Sequence, residues 1–118
     1  MTLNAFVRSE GFRGFETIRE LRGHRSNVPN RQGVYVVFAG NTHHHFAKSG
    51  GPKFKETMRS RIARLLSPGY GKTNGHVGGK LWTWPDPEAA VVCWKTIVVG
   101  DPRSIRNALK LRWAACQK

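Results

Sequence analysis

A run of seven residues with one polar side-chain group most constrains how this chain folds. It opens the segment from Gly33 to Gly51, which has the sequence GVYVVFAGNTHHHFAKSGG. Its valine, tyrosine and phenylalanine content predicts a strand over Gly33–Ala39. Gly40-Asn41 is typical of a two-residue hairpin turn, because both residues tolerate positive φ, and Thr42–Ala47 is then the returning strand. The hydroxyl of Tyr35 needs a polar partner in this apolar strand, so Tyr35 is either a hairpin core residue or a residue placed for chemistry.

Apolar residues at helical spacing predict three helices. The clearest one covers Lys55–Leu66, in which apolar residues recur at i, i+4, i+7 and i+8. A shorter helix is predicted over Gly14–Gly23, where three apolar residues share one face and the final glycine can end the helix. The last helix begins at Asp101-Pro102, an N-cap residue followed by proline in the first helical position.

Two further strands are predicted, over Leu81–Trp84 and Ala89–Val99, around the turn sequence PDPE. The predicted order is therefore β-β-α-β-β-α with an extra N-terminal helix. This order indicates the α+β class, with a small antiparallel sheet flanked by helices. The length of 118 residues predicts a single domain over residues 1–118, with a helical lead-in over residues 1–32 and a core over residues 33–118.

The charge of the chain indicates its class of partner. Twenty basic residues oppose seven acidic ones, the net charge is +13, and the pI is near 11. The basic residues are spread along the chain, so a folded polyanion-binding domain is indicated, with nucleic acid as the leading partner. A ribosome-bound protein or a protein of anionic membrane surfaces is the alternative.

Apolar runs are too short for a membrane span, and the first residues lack the apolar core of a signal peptide, which predicts a cytoplasmic protein. In that reducing compartment Cys93 and Cys116 are expected to remain free thiols.

Other motifs carry weaker signals. The glycine-rich loop Gly69–Gly79 follows a helix and precedes a strand, the reverse of the context that a nucleotide-binding phosphate loop requires. His43, His44 and His45 would place only two side chains on one face of a strand, so solvated edge-strand histidines are favoured over a metal site. The tryptophans are expected to build the core.

The order of these elements resembles the GIY-YIG nuclease superfamily, and more closely a bacterial group of short proteins with that domain. Gly33-Val34-Tyr35 is similar to the first motif of the family, a Gly-Ile/Val-Tyr strand. The resemblance covers most of the chain and rests on the order and spacing of several segments. These segments are GFETIRELR, VPNRQGVYVV, TMRSRIARL, GHVGGKLWTW and DPRSIRNALK.

The resemblance implies a domain that cuts a phosphodiester bond with one divalent cation. In the family the first tyrosine, here Tyr35, helps to activate the attacking water, and an arginine, here Arg61, steadies the phosphate. Two positions depart from the family pattern. His45 replaces the second tyrosine and keeps a group for proton transfer. Arg106 stands where the family has its metal-binding glutamate, and a guanidinium offers Mg²⁺ no oxygen ligand.

The sequence therefore predicts a GIY-YIG-like domain that binds the DNA backbone and whose catalysis is lost or impaired. Lys48, Arg61 and Arg106 are expected to line a phosphate-binding groove, with Arg59 and Arg64 as further nucleic-acid contacts. No residue is assigned to a metal. Two alternatives remain: an active Mg²⁺-dependent endonuclease that recruits Glu56 or Glu88, and a basic structural or RNA-associated protein.

Overall fold

The computed structural model describes residues 1–51, 53–66 and 80–117. The described residues form helices and 3₁₀ turns around one antiparallel sheet. In chain order the elements are α1 (Leu3–Ser9), β1 (Arg13–Thr17), α2 (Ile18–Gly23), β2 (Gly33–Ala39), β3 (His43–Ser49), α3 (Met58–Ala63), β4 (Val91–Thr96) and α4 (Pro102–Cys116). Among the described residues, no helix is both long and apolar enough to cross a membrane.

The four strands form a sheet in the order β1-β4-β2-β3, and every neighbouring pair is antiparallel. This sheet with its flanking helices confirms the α+β class. The predicted hairpin is also confirmed, because β2 and β3 pair along their whole length, from Gly33 opposite Ser49 to Ala39 opposite His43. The loop has three residues instead of two, and β3 continues to Ser49, two residues beyond the predicted end.

Strand β2 is buried on both faces, which explains why its sequence is apolar throughout. Tyr35 and Val37 belong to one hydrophobic cluster, which includes residues of α2 and α3. Val34, Val36 and Phe38 belong to a second cluster, which includes residues of α1 and α4. The sheet is therefore the middle layer of three, and β2 and β4 lie in its interior.

The helix predicted over Gly14–Gly23 is wrong in its first half, where the chain forms β1 instead. The helix starts at Ile18 because Thr17 is its N-cap, in a capping box with Glu20. Phe15 has a φ of 58°, which a helix does not allow, and it packs against the second cluster while Ile18 lies in the first. A second N-terminal helix, α1, for which Thr2 is the N-cap, was not predicted.

The strand predicted over Leu81–Trp84 is also wrong, because Lys80 and Leu81 are helical and turns follow. The backbone amide of Trp84 donates to the carbonyl of Leu81 at 3.0 Å, and the Trp82 indole donates to the Leu65 carbonyl at 3.0 Å. The tryptophans nevertheless pack as expected, since Trp84 is buried and Trp82 lies against the first cluster. The strand that completes the four-stranded sheet is therefore β1, which takes the place of the strand predicted over Leu81–Trp84.

The helix predicted over Lys55–Leu66 begins three residues later than expected. Thr57 is the N-cap, and its hydroxyl accepts a hydrogen bond from the amide of Ser60 at 3.3 Å. Residues Arg64–Leu66 continue as a 3₁₀ turn. The last helix starts at Pro102 after Asp101, as predicted.

Gly33, the first residue of the Gly-Val-Tyr motif, fixes the distance between the sheet and α3. A Cβ atom at this position would collide with the Lys95 carbonyl oxygen and would lie 2.8 Å from the sulfur of Met58. Met58 is the first residue of α3, and its amide donates to the Arg31 carbonyl at 2.8 Å. The absence of a side chain at residue 33 therefore lets α3 pack closely at the start of β2.

We expect Gly33→Ala to destabilise the protein by about 1–3 kcal/mol, the usual cost of overpacking. Gly23→Ala is the matched control, because a Cβ there meets no atom within 4 Å. That change should be neutral or stabilising by up to about 1 kcal/mol. Urea unfolding of the three proteins measures the difference, and equal midpoints for the two variants would contradict this role for Gly33.

Candidate nucleic-acid interface

Tyr35 is a core residue whose hydroxyl lies close to Arg61. Its side chain is only 2% exposed, and the hydroxyl interacts with the guanidinium of Arg61 on α3. Burial raises the pKa of Tyr35 above its ordinary value, and the positive charge of Arg61 offsets this only in part. The hydroxyl therefore stays protonated at neutral pH.

Helix α3 is held in place by the loop that precedes β2, and this fixes the position of Arg61. The Arg59 guanidinium donates to the carbonyls of Val28 at 2.8 Å and Ser26 at 3.2 Å. The hydroxyl of Thr57 donates to Asn30 at 2.9 Å. Arg59, predicted as a nucleic-acid contact, thus connects α3 to the loop through backbone acceptors.

Glu56 brings a carboxylate next to Tyr35 and Arg61. Its Oε2 atom lies 3.3 Å from Nη1 of Arg61 and 3.2 Å from Nη1 of Arg64. Because α3 starts only at Met58, Glu56 lies outside the helix and its side chain can approach guanidiniums five and eight residues away. Of the two carboxylates proposed as substitute ligands, Glu56 is thus the one near Tyr35.

A pocket of about 200 Å³ opens beside this carboxylate, and we call it the Glu56 pocket. Lys48 is at its rim, where Nζ donates to the Gly50 carbonyl at 3.0 Å and lies 4.5 Å from the centre of the Phe54 ring. The structure therefore brings the predicted residues Lys48, Arg61 and Arg64 together around Glu56. The pocket is lined by Lys48, Ser49, Gly50, Phe54, Glu56 and Arg61.

Arg106 does not join this group. It lies on α4, which packs against the second cluster, on the other face of the sheet from Tyr35. Its guanidinium donates to the Asn107 side chain at 3.1 and 3.2 Å. Lys110, one turn further along α4, lines a separate pocket with His44 and Trp113.

Glu88 belongs to a different group of charged side chains. Its carboxylate lies 2.6 Å from the guanidinium of Arg22 and 3.4 Å from that of Arg19, both on α2. These guanidiniums, first through hydrogen bonding by Arg22, lower the pKa of Glu88. Glu88 therefore ties α2 to the segment before β4.

The three histidines are packing residues and not a solvated row. His45 stacks on the Trp84 indole, with centroids 5.6 Å apart and planes at 11°, and His43 lies 5.4 Å from the same ring system. His44 points to the other face, toward Phe46 and Trp113. Burial, and then the charge of Lys80, lowers the pKa of His45. His45 pairs with Val37, whereas Tyr35 pairs with Ala47.

The residues near Tyr35 do not fit a magnesium ion. The carboxylate beside Tyr35 is that of Glu56, and two arginines already contact it. Among residues 1–51, 53–66 and 80–117, no three His, Cys, Asp or Glu side chains are arranged to hold a metal. The glycine-rich loop Gly69–Gly79 lies outside the described residues. Cys93 is a buried free thiol whose pKa burial raises to about 12, and Cys116 is an exposed free thiol.

Sequence reasoning missed three residues of the Glu56 pocket: Ser49, Gly50 and Phe54. Ser49 and Gly50 were interpreted only as the end of a strand, although Ser49 is fully buried and its hydroxyl accepts the Gly33 amide at 3.2 Å. Phe54 had no periodic partner in the sequence. The available signal was the clustering of glycines directly after Lys48, which lets the chain turn back over the strand end.

The polar interaction between the buried Tyr35 hydroxyl and Arg61 makes their contributions to stability interdependent. Arg61→Ala should cost about 1–3 kcal/mol, because it leaves a buried hydroxyl without this partner. Tyr35→Phe should cost less, about 0.5–1.5 kcal/mol, because Arg61 keeps Glu56. The double variant should cost less than the sum of the two. Denaturant unfolding of all four proteins tests this, and strict additivity would show that the two side chains act independently.

Comparisons with protein-family models, with curated proteins and with solved structures found no match to this chain. The resemblance to the GIY-YIG superfamily therefore stays a prediction from the sequence motifs.

Proposed function

We propose that this chain is a GIY-YIG-like domain that binds the phosphate backbone of DNA and has lost most or all nuclease activity. The observation that carries the proposal is the charge balance of 20 basic to 7 acidic residues. A folded domain with this excess attracts polyanions over its whole surface. DNA is favoured over other polyanions by the resemblance of the motifs.

Most carboxylates of the chain are engaged in contacts within the fold. Six of the seven accept hydrogen bonds or pair with arginines within the chain, which limits their repulsion of an approaching phosphate. These six are Glu10, Glu16, Glu20, Glu56, Glu88 and Asp101. The salt bridges of the described residues involve five arginines. Most basic side chains therefore keep a positive charge that can attract an anionic ligand.

The Glu56 pocket supports a specific place for the backbone. Lys48 and Arg61 line it, Arg64 contacts the Glu56 carboxylate, and the pocket lies beside β3, an edge strand of the sheet. Arginine guanidiniums suit phosphate because they donate two parallel hydrogen bonds. A phosphate at this edge would meet three cations without any rearrangement of the sheet.

The same geometry argues against cleavage. Tyr35 is buried and its pKa is raised, so its hydroxyl is a poor base for activating water. The position expected to supply a metal-binding carboxylate supplies Arg106, on the opposite face of the sheet. Glu56 is held by two guanidiniums, which disfavours a divalent cation beside it.

Binding to duplex DNA should therefore be electrostatic and weakly selective for sequence. We expect log affinity to fall linearly with log salt, with a slope of about −0.9 per neutralised phosphate. Lys48→Gln should weaken binding more than Arg13→Gln, since both remove one charge but Arg13 lies on β1 at the far edge of the sheet. Fluorescence anisotropy over a salt series measures both effects.

Affinity that does not change with salt would contradict the proposal. Equal losses for the two variants would place the interface away from β3. Competition between duplex DNA and structured RNA tests the alternative of an RNA-associated or structural protein, which predicts that RNA displaces DNA.

A second candidate function is an active endonuclease, and the presence of the Glu56 carboxylate near Tyr35 is the observation that favours it. Our expectation is that Mg²⁺ or Mn²⁺ produces no cleavage of plasmid or linear DNA above background. A metal-titrated cleavage assay checks this. Cleavage that EDTA, Tyr35→Phe and Glu56→Gln abolish, and that Glu88→Gln leaves intact, would establish the nuclease instead.

A further inference from the structure

We propose that the Glu56 carboxylate occupies the phosphate position of the Glu56 pocket and competes there with the phosphate of a nucleic acid. The inference rests on the proposed function and adds to it an internal competitor that limits the affinity for nucleic acid. In this arrangement the protein carries its own anion in the site, and a ligand phosphate has to displace it.

The contacts of Glu56 are those that a phosphate oxygen would make. One oxygen, Oε2, lies between the guanidiniums of Arg61 and Arg64, at 3.3 and 3.2 Å. Carboxylate and phosphate oxygens are the two anionic acceptors that guanidiniums bind in this way. Lys48 adds a third cation at the rim. With Glu56 ionised, these four side chains carry a net charge of about +2, which rises to about +3 when the carboxylate is removed.

The carboxylate is held weakly enough to be displaced. The side chains of Glu56, Arg61 and Arg64 are 36%, 27% and 33% exposed, so water reaches the ion pairs. Pairs of this kind contribute little net stability. The segment that carries Glu56 precedes α3 and is not part of it, so the side chain can move away without disturbing a helix.

Arg61 does not depend on Glu56 for its position. Its guanidinium also interacts with the buried Tyr35 hydroxyl. Loss of the carboxylate would therefore leave Arg61 directed at the pocket. The Glu56 ion pairs then act against ligand binding and are not needed to build the site.

The test compares Glu56→Gln with Glu16→Gln. Both changes remove one negative charge, but Glu16 lies on β1, at the opposite edge of the sheet, where it accepts a hydrogen bond from Asn27 at 2.9 Å. Glu56→Gln should raise the affinity for duplex DNA by about fivefold or more, the scale of one recovered charge-assisted contact. Glu16→Gln should raise it less than about twofold, through net charge alone. In Glu56→Gln the salt slope should steepen by about 0.9, one additional phosphate.

Inorganic phosphate serves as a second probe, which separates this inference from the proposed function. Phosphate should raise the melting temperature of Glu56→Gln more than that of the unmodified protein or of Glu16→Gln. If phosphate does so while none of the proteins binds DNA or RNA, the pocket is an anion site and the proposed function fails. Equal responses of the two variants to both probes would overturn the inference.

Glu56→Asp repeats the affinity test without changing the net charge of the protein. The carboxylate retreats by one methylene from the two guanidiniums, so DNA affinity should rise, by less than in Glu56→Gln. This variant decides the question if Glu56→Gln proves unstable. A fall in affinity in either folded variant would mean that Glu56 orients Arg61 for binding, and it would overturn the inference.

Discussion

The burial of β2 on both faces is the constraint on which the rest of the structure depends. A central strand has no solvent-exposed side, so every polar group that it carries must find a partner inside the protein. In β2 the only side chain with such a group is Tyr35, and its hydroxyl interacts with the guanidinium of Arg61 from α3. The burial of one hydroxyl thus accounts for a basic residue of α3 directed at the sheet.

The parts of the fold that the sequence predicts well are those determined by local patterns. The β2–β3 hairpin and the start of α4 each depend on neighbouring residues and a turn or cap. Strand β1 could not be predicted in this way, because it exists through pairing with β4, almost eighty residues later, and through a positive φ at Phe15. The error at Leu81–Trp84 has the opposite cause: strand-like residues there are held by tertiary contacts in a helical turn and bends.

The candidate site shows the same division. Arg61 and Lys48 were assigned from motif order, and the fold brings them to one pocket. Arg106 was assigned in the same way, but the sequence does not say against which face of the sheet the last helix packs. Glu56 was named only as a substitute metal ligand on a predicted helix, and the later start of α3, after the Thr57 cap, turns its carboxylate toward Arg61.

The tight contact of Gly33 with the Lys95 carbonyl and Met58 has a consequence for how sequence motifs are used to infer activity. Both ends of the Gly-Val-Tyr motif have structural reasons to persist here: the glycine because no side chain fits, and the tyrosine because it fills the core. A chain that keeps this packing would retain both residues after its chemistry had gone. In a domain built this way, the Gly-Val-Tyr motif indicates the fold. Evidence for phosphodiester hydrolysis has to come from the carboxylates near the motif.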